Sequence, residues 1–335
     1  MRDPLPEDQR LVEISSKAYE HPADRAATAA LQSIPMLDQV VRTLIEYGYE
    51  RALRQTFLAG SVKLGSDQLP EVWAAHRAAL ARLDITDVPE LYLTQFPITN
   101  AAAIGSERPM VVINSRTVEV FDAAEMRTVL GHEAGHILSD HVLYRTALMI
   151  LLSATGLGRM PMLAGLPLLA VKMALLEWFR AAELSCDRAA TLVNRDPLVS
   201  CRTLMVLAGG TASHKLDLDA FVRQASAYEE WEPGFDKLAR MRIELGQTHG
   251  FPVKRVSELM KWVRSGDYDR IVDGSYVRRG DPVDARAEAG DAVEYYAERF
   301  RAIFREAGAG VEKAGEAVGA AADRLSDWLR SGRGG

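Results

Sequence analysis

Apolar side chains recur at intervals of three and four through residues 7–31, 36–60 and 70–84, with charged residues between them. That interval is the repeat of one helix face, so the pattern predicts three amphipathic N-terminal helices. In the second, Gln39, Arg42, Glu46 and Glu50 form the outward face. The repeat then changes. Glu90 to Thr94 and Pro109 to Val118 are rich in branched and aromatic residues and read as strands. From Val118 the helical repeat returns: Val120, Phe121, Met126, Val129 and Leu130 precede a polar interruption, and Ile137, Leu138, Val142 and Leu143 follow it. Asp122 with Glu125 three residues on makes an Asp-x-x-Glu capping box. A helix is therefore expected over about 123–146. The sum is an α+β, mostly helical chain with a small sheet against a helical body.

Two later stretches set the domain plan. Residues 147–176 hold the runs Leu148–Leu152 and Met160–Val171, broken by Gly156, Gly158, Arg159, Pro161, Gly165 and Pro167. A membrane helix needs about 20 apolar residues, and here the glycines, prolines and Arg159 make a turn between two arms of about a dozen each. Such arms suit a buried helical hairpin, a lid over a site, or a shallow insertion into one leaflet. After Gly280-Asp281-Pro282, a linker, Val293, Tyr296, Phe300 and Ile303 begin an apolar stripe that Val318, Leu325 and Leu329 continue. This stripe packs on the main body or a second copy, or lies on a membrane or over a cleft. The expected division is an N-terminal helical region over 1–85, a core over 86–275 with an apolar insertion at 147–176, and C-terminal amphipathic helices over 283–330.

Composition narrows the function classes. A 335-residue chain that is 48% hydrophobic is globular and can bury a large core. Its net charge of −6 argues against nucleic acid as a partner. Two cysteines, Cys186 and Cys201, make no disulfide framework and read as buried free thiols. The first residues are polar and lack the apolar stretch of a signal peptide, so a cytoplasmic location is expected, with peripheral membrane contact as the open alternative.

The polar interruption in the predicted helix is Gly131-His132-Glu133-Ala134-Gly135-His136. Histidines four apart lie one turn apart on one face, so each can offer a neutral ring nitrogen to one Zn²⁺. Glu133, next to His132, reaches a water at the metal's open position. Gly135 costs about 1 kcal/mol against Ala in a helix and makes sense where something approaches the backbone closely. His141, five residues beyond His136, would lie about 140° further round a continuous helix and face away from the pair, a surface residue or an outer support. Downstream, Glu183 and Asp187 share a helix face. Glu183 could complete a His₂Glu site with one open position, and Asp187 would then orient a ligand through its other polar group. A solvated acidic face paired with Arg180 and Arg188 fits the same residues, and Cys186 offers a sulfur ligand.

The chain resembles the HtpX-type zinc metallopeptidases, the family that also contains the CAAX prenyl endopeptidases. The resemblance covers about residues 88–265 and rests on four segments in order: Asn100-Ala101 with Arg108–Ile113, Glu125–Leu130 running into His132–His136, Glu183-x-x-x-Asp187 after Arg180, and Thr248–Arg255. The fourth departs from the family's His-Pro by inserting Gly250 and Phe251. The resemblance implies a zincin-like (gluzincin) core with an edge strand against the His-Glu-x-x-His helix, one Zn²⁺ per chain on His132, His136 and Glu183, and Glu133 as general base. It implies a substrate strand adding along Asn100, Ala101, Met110, Val111 and Val112, with His249 or Arg255 stabilising the oxyanion. The expected activity is zinc-dependent endopeptidase cleavage of extended or misfolded polypeptide in protein quality control. The alternatives are a non-proteolytic binding or scaffold protein that keeps the fold, and a zinc hydrolase of small molecules.

Overall fold

The computed structural model describes residues 9–32, 41, 49–105, 108–156, 165–230 and 249–282. The helices, in chain order, are α1 (Pro22–Gln32), α2 (Tyr49–Gly60), α3 (Pro70–Arg82), α4 (Ser115–Val120), α5 (Ala123–Leu138), α6 (Val142–Gly156), α7 (Gly165–Asn194), α8 (Pro197–Gly209), α9 (Leu218–Glu230), α10 (Pro252–Arg264) and α11 (Asp267–Val272). Among the described residues four strands, β1 (Val62–Leu64), β2 (Glu90–Thr94), β3 (Ala101–Ile104) and β4 (Met110–Asn114), form one mixed sheet in the order β1-β2-β4-β3. β2 and β4 run parallel, and the outer strands pair antiparallel to them. The chain is thus mostly helical with a small sheet, as its patterning predicts.

Helices α5 and α7 form the centre. Gly131 and Gly135 allow their close approach: a Cβ at position 131 would stand 2.9 Å from Val193 Cβ, and one at 135 only 2.7 Å from Ala189 Cβ. At these positions the absent side chain, not backbone freedom, is what the fold uses. Leu11, Ile14 and Tyr19 share one core with Leu91, Leu130, Leu192 and Trp262, so the N-terminal region and the segment beyond residue 86 pack as one body. Backbone bonds from Ser15 to Val277 and from Arg279 to Glu13 close the two ends of that body.

Several expectations change. The helix predicted over 7–31 starts only at Pro22; Glu13 has φ 55° and residues 16–18 form a 3₁₀ turn, because proline belongs in a helix's first turn and not its interior. Strand β4 stops at Asn114. Thr117 Oγ1 then accepts from Asn100 N–H (2.9 Å) and donates to its carbonyl (2.8 Å), curling the chain into α4. The Asp122–Glu125 capping box is present, yet the helix expected to reach 146 ends at Leu138. Asp140 takes φ 56°, Asp140 N–H bonds the Ile137 carbonyl and His141 N–H bonds that of His136, a Schellman ending. Arg159 and the turn expected around it, the outward face at Gln39, Arg42 and Glu46, and the stripe over 283–330 lie outside the described residues, as does the side chain of Glu50. Among the described residues no helix is long and apolar enough to cross a membrane.

Candidate metal centre

His132 and His136 present their Nε2 atoms to one carboxylate oxygen: Glu183 Oε1 lies 3.4 Å from the first and 3.2 Å from the second. Helix α5 supplies the histidines one turn apart, and α7 brings the carboxylate across the glycine contact. Asp187, one turn beyond Glu183, has Oδ1 3.2 Å from His132 Nδ1. These acids do not form a solvated face. Glu183 and Asp187 are buried, and Arg180 pairs with Glu177 instead.

The counter-charge comes from α10. Arg255 donates from Nε and Nη2 to the two oxygens of Asp187, at 2.7 and 2.6 Å, and its Nη1 lies 2.9 Å from Glu183 Oε2. With all three nitrogens engaged by carboxylates, Arg255 anchors the acids and is not aimed at an oxyanion. His249 sits at the same edge, its Nδ1 3.7 Å from Glu183 Oε2 and its Nε2 3.4 Å from Asn100 Oδ1.

Electrostatics follow from burial and these partners. Burial opposes the charged form of Glu183, yet the positive groups of His249, Arg255 and His132 hold its carboxyl well below the usual range. Burial likewise disfavours a charged His132, but Glu183 and Asp187 outweigh it and raise its pKa to about 9. His136 is pushed well below its ordinary value by burial and then by the Arg145 charge. Its ring stacks on Phe179, centroids 5.6 Å apart.

Glu133 is held by its Oε2, which accepts from Ala103 N–H and Arg145 Nη1, both at 2.6 Å. Arg145 also donates to the Ala101 carbonyl at 3.3 Å, and Gly105 N–H donates to Thr146 Oγ1 at 3.0 Å. Alternate backbone groups of β3 thus meet side chains from α5 and α6. This corrects the substrate strand: Met110, Val111 and Val112 lie in β4, between β2 and β3 and buried, while β3, with Ala101 in it and Asn100 just before it, is the outer strand on that side of the sheet. The sequence misled because β3 is Ala-Ala-Ala-Ile, without the branched residues that mark a strand, whereas the interior β4 has them.

Sequence reasoning also missed Arg145. Its signal was available: a lone charge in Leu143–Leu148, an otherwise uncharged helical stretch, needs a buried partner. His141 does not face away. The helix break carries it beneath His136, buried, with the Nδ1 atoms of the two rings 3.2 Å apart.

A cleft of about 400 Å³ opens over His132 and Glu133, and Val129, Leu204, Leu207 and Phe121 form its apolar wall. Two imidazole nitrogens and an ionised carboxylate converging on one point suit a zinc-type ion. Cys186 Sγ also lies within ligand spacing of the two histidines. Without a metal, burial first, and then the charges of Glu183, Asp24 and Glu133, push its thiol well above the usual value.

Two histidines and a carboxylate that could hold a metal, with a second carboxylate beside them at the floor of a cleft, suit a metal-dependent hydrolase. Residues 67–263 match the model of peptidase family M48. The chain is 32% identical over 265 residues, 78% of its length, to plastoglobule-localized metallopeptidase 48 of Arabidopsis thaliana, covering 76% of that protein. It is 30% identical over 105 residues to a protease HtpX homolog of Tropheryma whipplei, which is 30% of this chain and 35% of the relative. No solved structure matches it significantly. The chain belongs to peptidase family M48, in its HtpX-type branch, and is a metallopeptidase.

Proposed function

We propose that this metallopeptidase is a zinc endopeptidase with a zincin-like, gluzincin core, which cuts extended or misfolded polypeptide. The observation that carries the reading is the convergence of His132 Nε2, His136 Nε2 and Glu183 Oε1 beside Glu133. These three residues are the ligands, and Cys186 stays a thiol. Bound there, zinc lowers the pKa of its water and polarises the scissile carbonyl.

The chain's own residues do the rest. Glu133 takes the proton of the attacking water and passes it to the leaving amine. Arg145 and Ala103 N–H fix one oxygen of that carboxylate, so the other is aimed rather than free to rotate. Asp187 accepts from His132 Nδ1 and sets that ring's orientation, with Arg255 clamping Asp187. Substrate lies in the cleft along Ile98–Asn100, just before β3, and an apolar side chain enters the wall of Val129, Leu204 and Leu207. His249, beside Asn100 at the cleft's edge, is our candidate for meeting the substrate carbonyl.

The name of the Arabidopsis relative favours work at a lipid surface, which for this chain means peripheral contact through the apolar segment 147–171 or the C-terminal stripe. Casein cleavage tests the activity. Chelation should abolish it, and one equivalent of zinc per chain should restore it; cleavage that persists without metal would end the proposal.

A further inference from the structure

Behind His136, on the side away from the cleft, lies a second chain of polar groups that the catalytic reading does not use. His136 Nδ1 is 3.2 Å from His141 Nδ1, and His141 Nε2 is 3.1 Å from Asp24 Oδ2. Asp24 belongs to α1, more than a hundred residues earlier. All three side chains are sealed: His136 is 0% exposed, His141 2% and Asp24 1%. Ser185 donates to Asp24 Oδ2 at 2.5 Å and Thr28 to Oδ1 at 3.3 Å, so both carboxylate oxygens have donors. Trp178 stands edge-on to the His141 ring, at 86°, and fixes its plane.

The arrangement exists because α5 ends early. In a Schellman ending the residue two beyond the cap folds back on the last turn, and here that contact is His141 against His136.

We propose that Asp24 and His141 are positioning residues that fix the proton on His136 Nδ1, so that Nε2 keeps its lone pair for the metal. The logic is one of donors and acceptors. Two Nδ1 atoms in contact need one proton between them. A carboxylate only accepts, so in a neutral His141 ring the proton sits on Nε2, toward Asp24. His141 Nδ1 is then an acceptor, and His136 must donate to it. Cys186 Sγ lies 3.6 Å from the same nitrogen, and an S–H there donates in the same direction. The reverse placement would put the His136 proton on Nε2, where no metal could bind. A metal-ligating histidine usually gives its outer N–H to a carboxylate or carbonyl; here a second histidine stands between ligand and carboxylate.

The inference rests on His136 being a ligand, and the test separates the two claims. In zinc-loaded protein with ¹⁵N-labelled histidine, a scalar coupling should connect Nδ1 of His136 with Nδ1 of His141 through the shared proton, and His141 should carry its own proton on Nε2. His141→Leu should weaken zinc about ten- to a hundred-fold in chelator competition. His141→Gln, whose amide can accept from His136 and donate to Asp24, should stay within a few-fold of wild type. Urea denaturation of the metal-free variants checks that each is folded. A proton on His141 Nδ1, or His141→Leu binding zinc as tightly as wild type, would overturn the relay. Zinc retained by His136→Ala would instead show that the ligand assignment beneath it is wrong.

Discussion

Arg255 grips Asp187 with two parallel hydrogen bonds, 2.7 and 2.6 Å long, and both residues are buried. The fork matches the carboxylate plane in a way that an ammonium cannot. Because the same guanidinium touches Glu183, it sets the position of two acids on α7 at once. Arg255→Lys should keep the fold and weaken zinc about tenfold or more. Arg255→Ala strands two buried carboxylates and should cost about 3–5 kcal/mol in urea denaturation. Zinc affinity unchanged in Arg255→Lys would remove the arginine from the site's support.

Gly135→Ala sets two effects against each other. Alanine favours the helix by about 1 kcal/mol, while overpacking a close contact costs about 1–3 kcal/mol. A Cβ only 2.7 Å from Ala189 Cβ, and 3.3 Å from Cys186 Cα, meets backbone-bound atoms with no room to yield. The clash should win, lowering stability and displacing Glu183 relative to the histidines. Ala189→Gly in the same chain should recover part of the loss. A Gly135→Ala protein more stable than wild type in urea would contradict the packing described.

Away from the metal centre, His76 is a buried neutral histidine. Burial lowers its pKa to about 4, against which its bond to the Pro89 carbonyl, 3.0 Å from Nε2, is the weaker influence. Between pH 6.5 and 4 the unfolded chain takes a proton that the folded chain refuses. Stability from this group is therefore full above 6.5 and lost as pH falls toward 4. Metal-free wild type should lose about 2–3 kcal/mol more than His76→Gln between pH 7 and 4.5, measured by urea denaturation. Equal losses would show that His76 is protonated without penalty.

Arg145→Met removes the charge that holds Glu133 Oε2 and the Ala101 carbonyl. Cleavage should fall by about 10–100-fold through loss of alignment, while zinc content stays at one per chain. Zinc lost together with activity would make Arg145 a support of the metal rather than of the base.

Much of the site was legible because its parts are periodic. His132, Glu133 and His136 share a helix turn, Glu183 and Asp187 another, and the capping box was announced by its spacing, while Gly135 stood out by the helix cost of glycine. What could not be read came from endings and from distant segments. The Schellman turn at Asp140 reversed the expected direction of His141, because angle counting holds only while the helix continues. The edge strand was misplaced because alanines carry no strand signal, and sheet order is set by packing rather than by the strand's own residues. Asp24 carried no mark of its link to the site, since His141 and Ser185 are more than a hundred residues away.

The central claim is that Glu133 moves the proton in a metal-supported cleavage of peptide bonds. Zinc content and casein cleavage, measured together on wild type and Glu133→Gln, test it most directly. The variant should keep one zinc per chain and lose cleavage by about 10²–10⁴-fold. A Glu133→Gln protein that holds zinc and cuts casein at the wild-type rate would contradict the account.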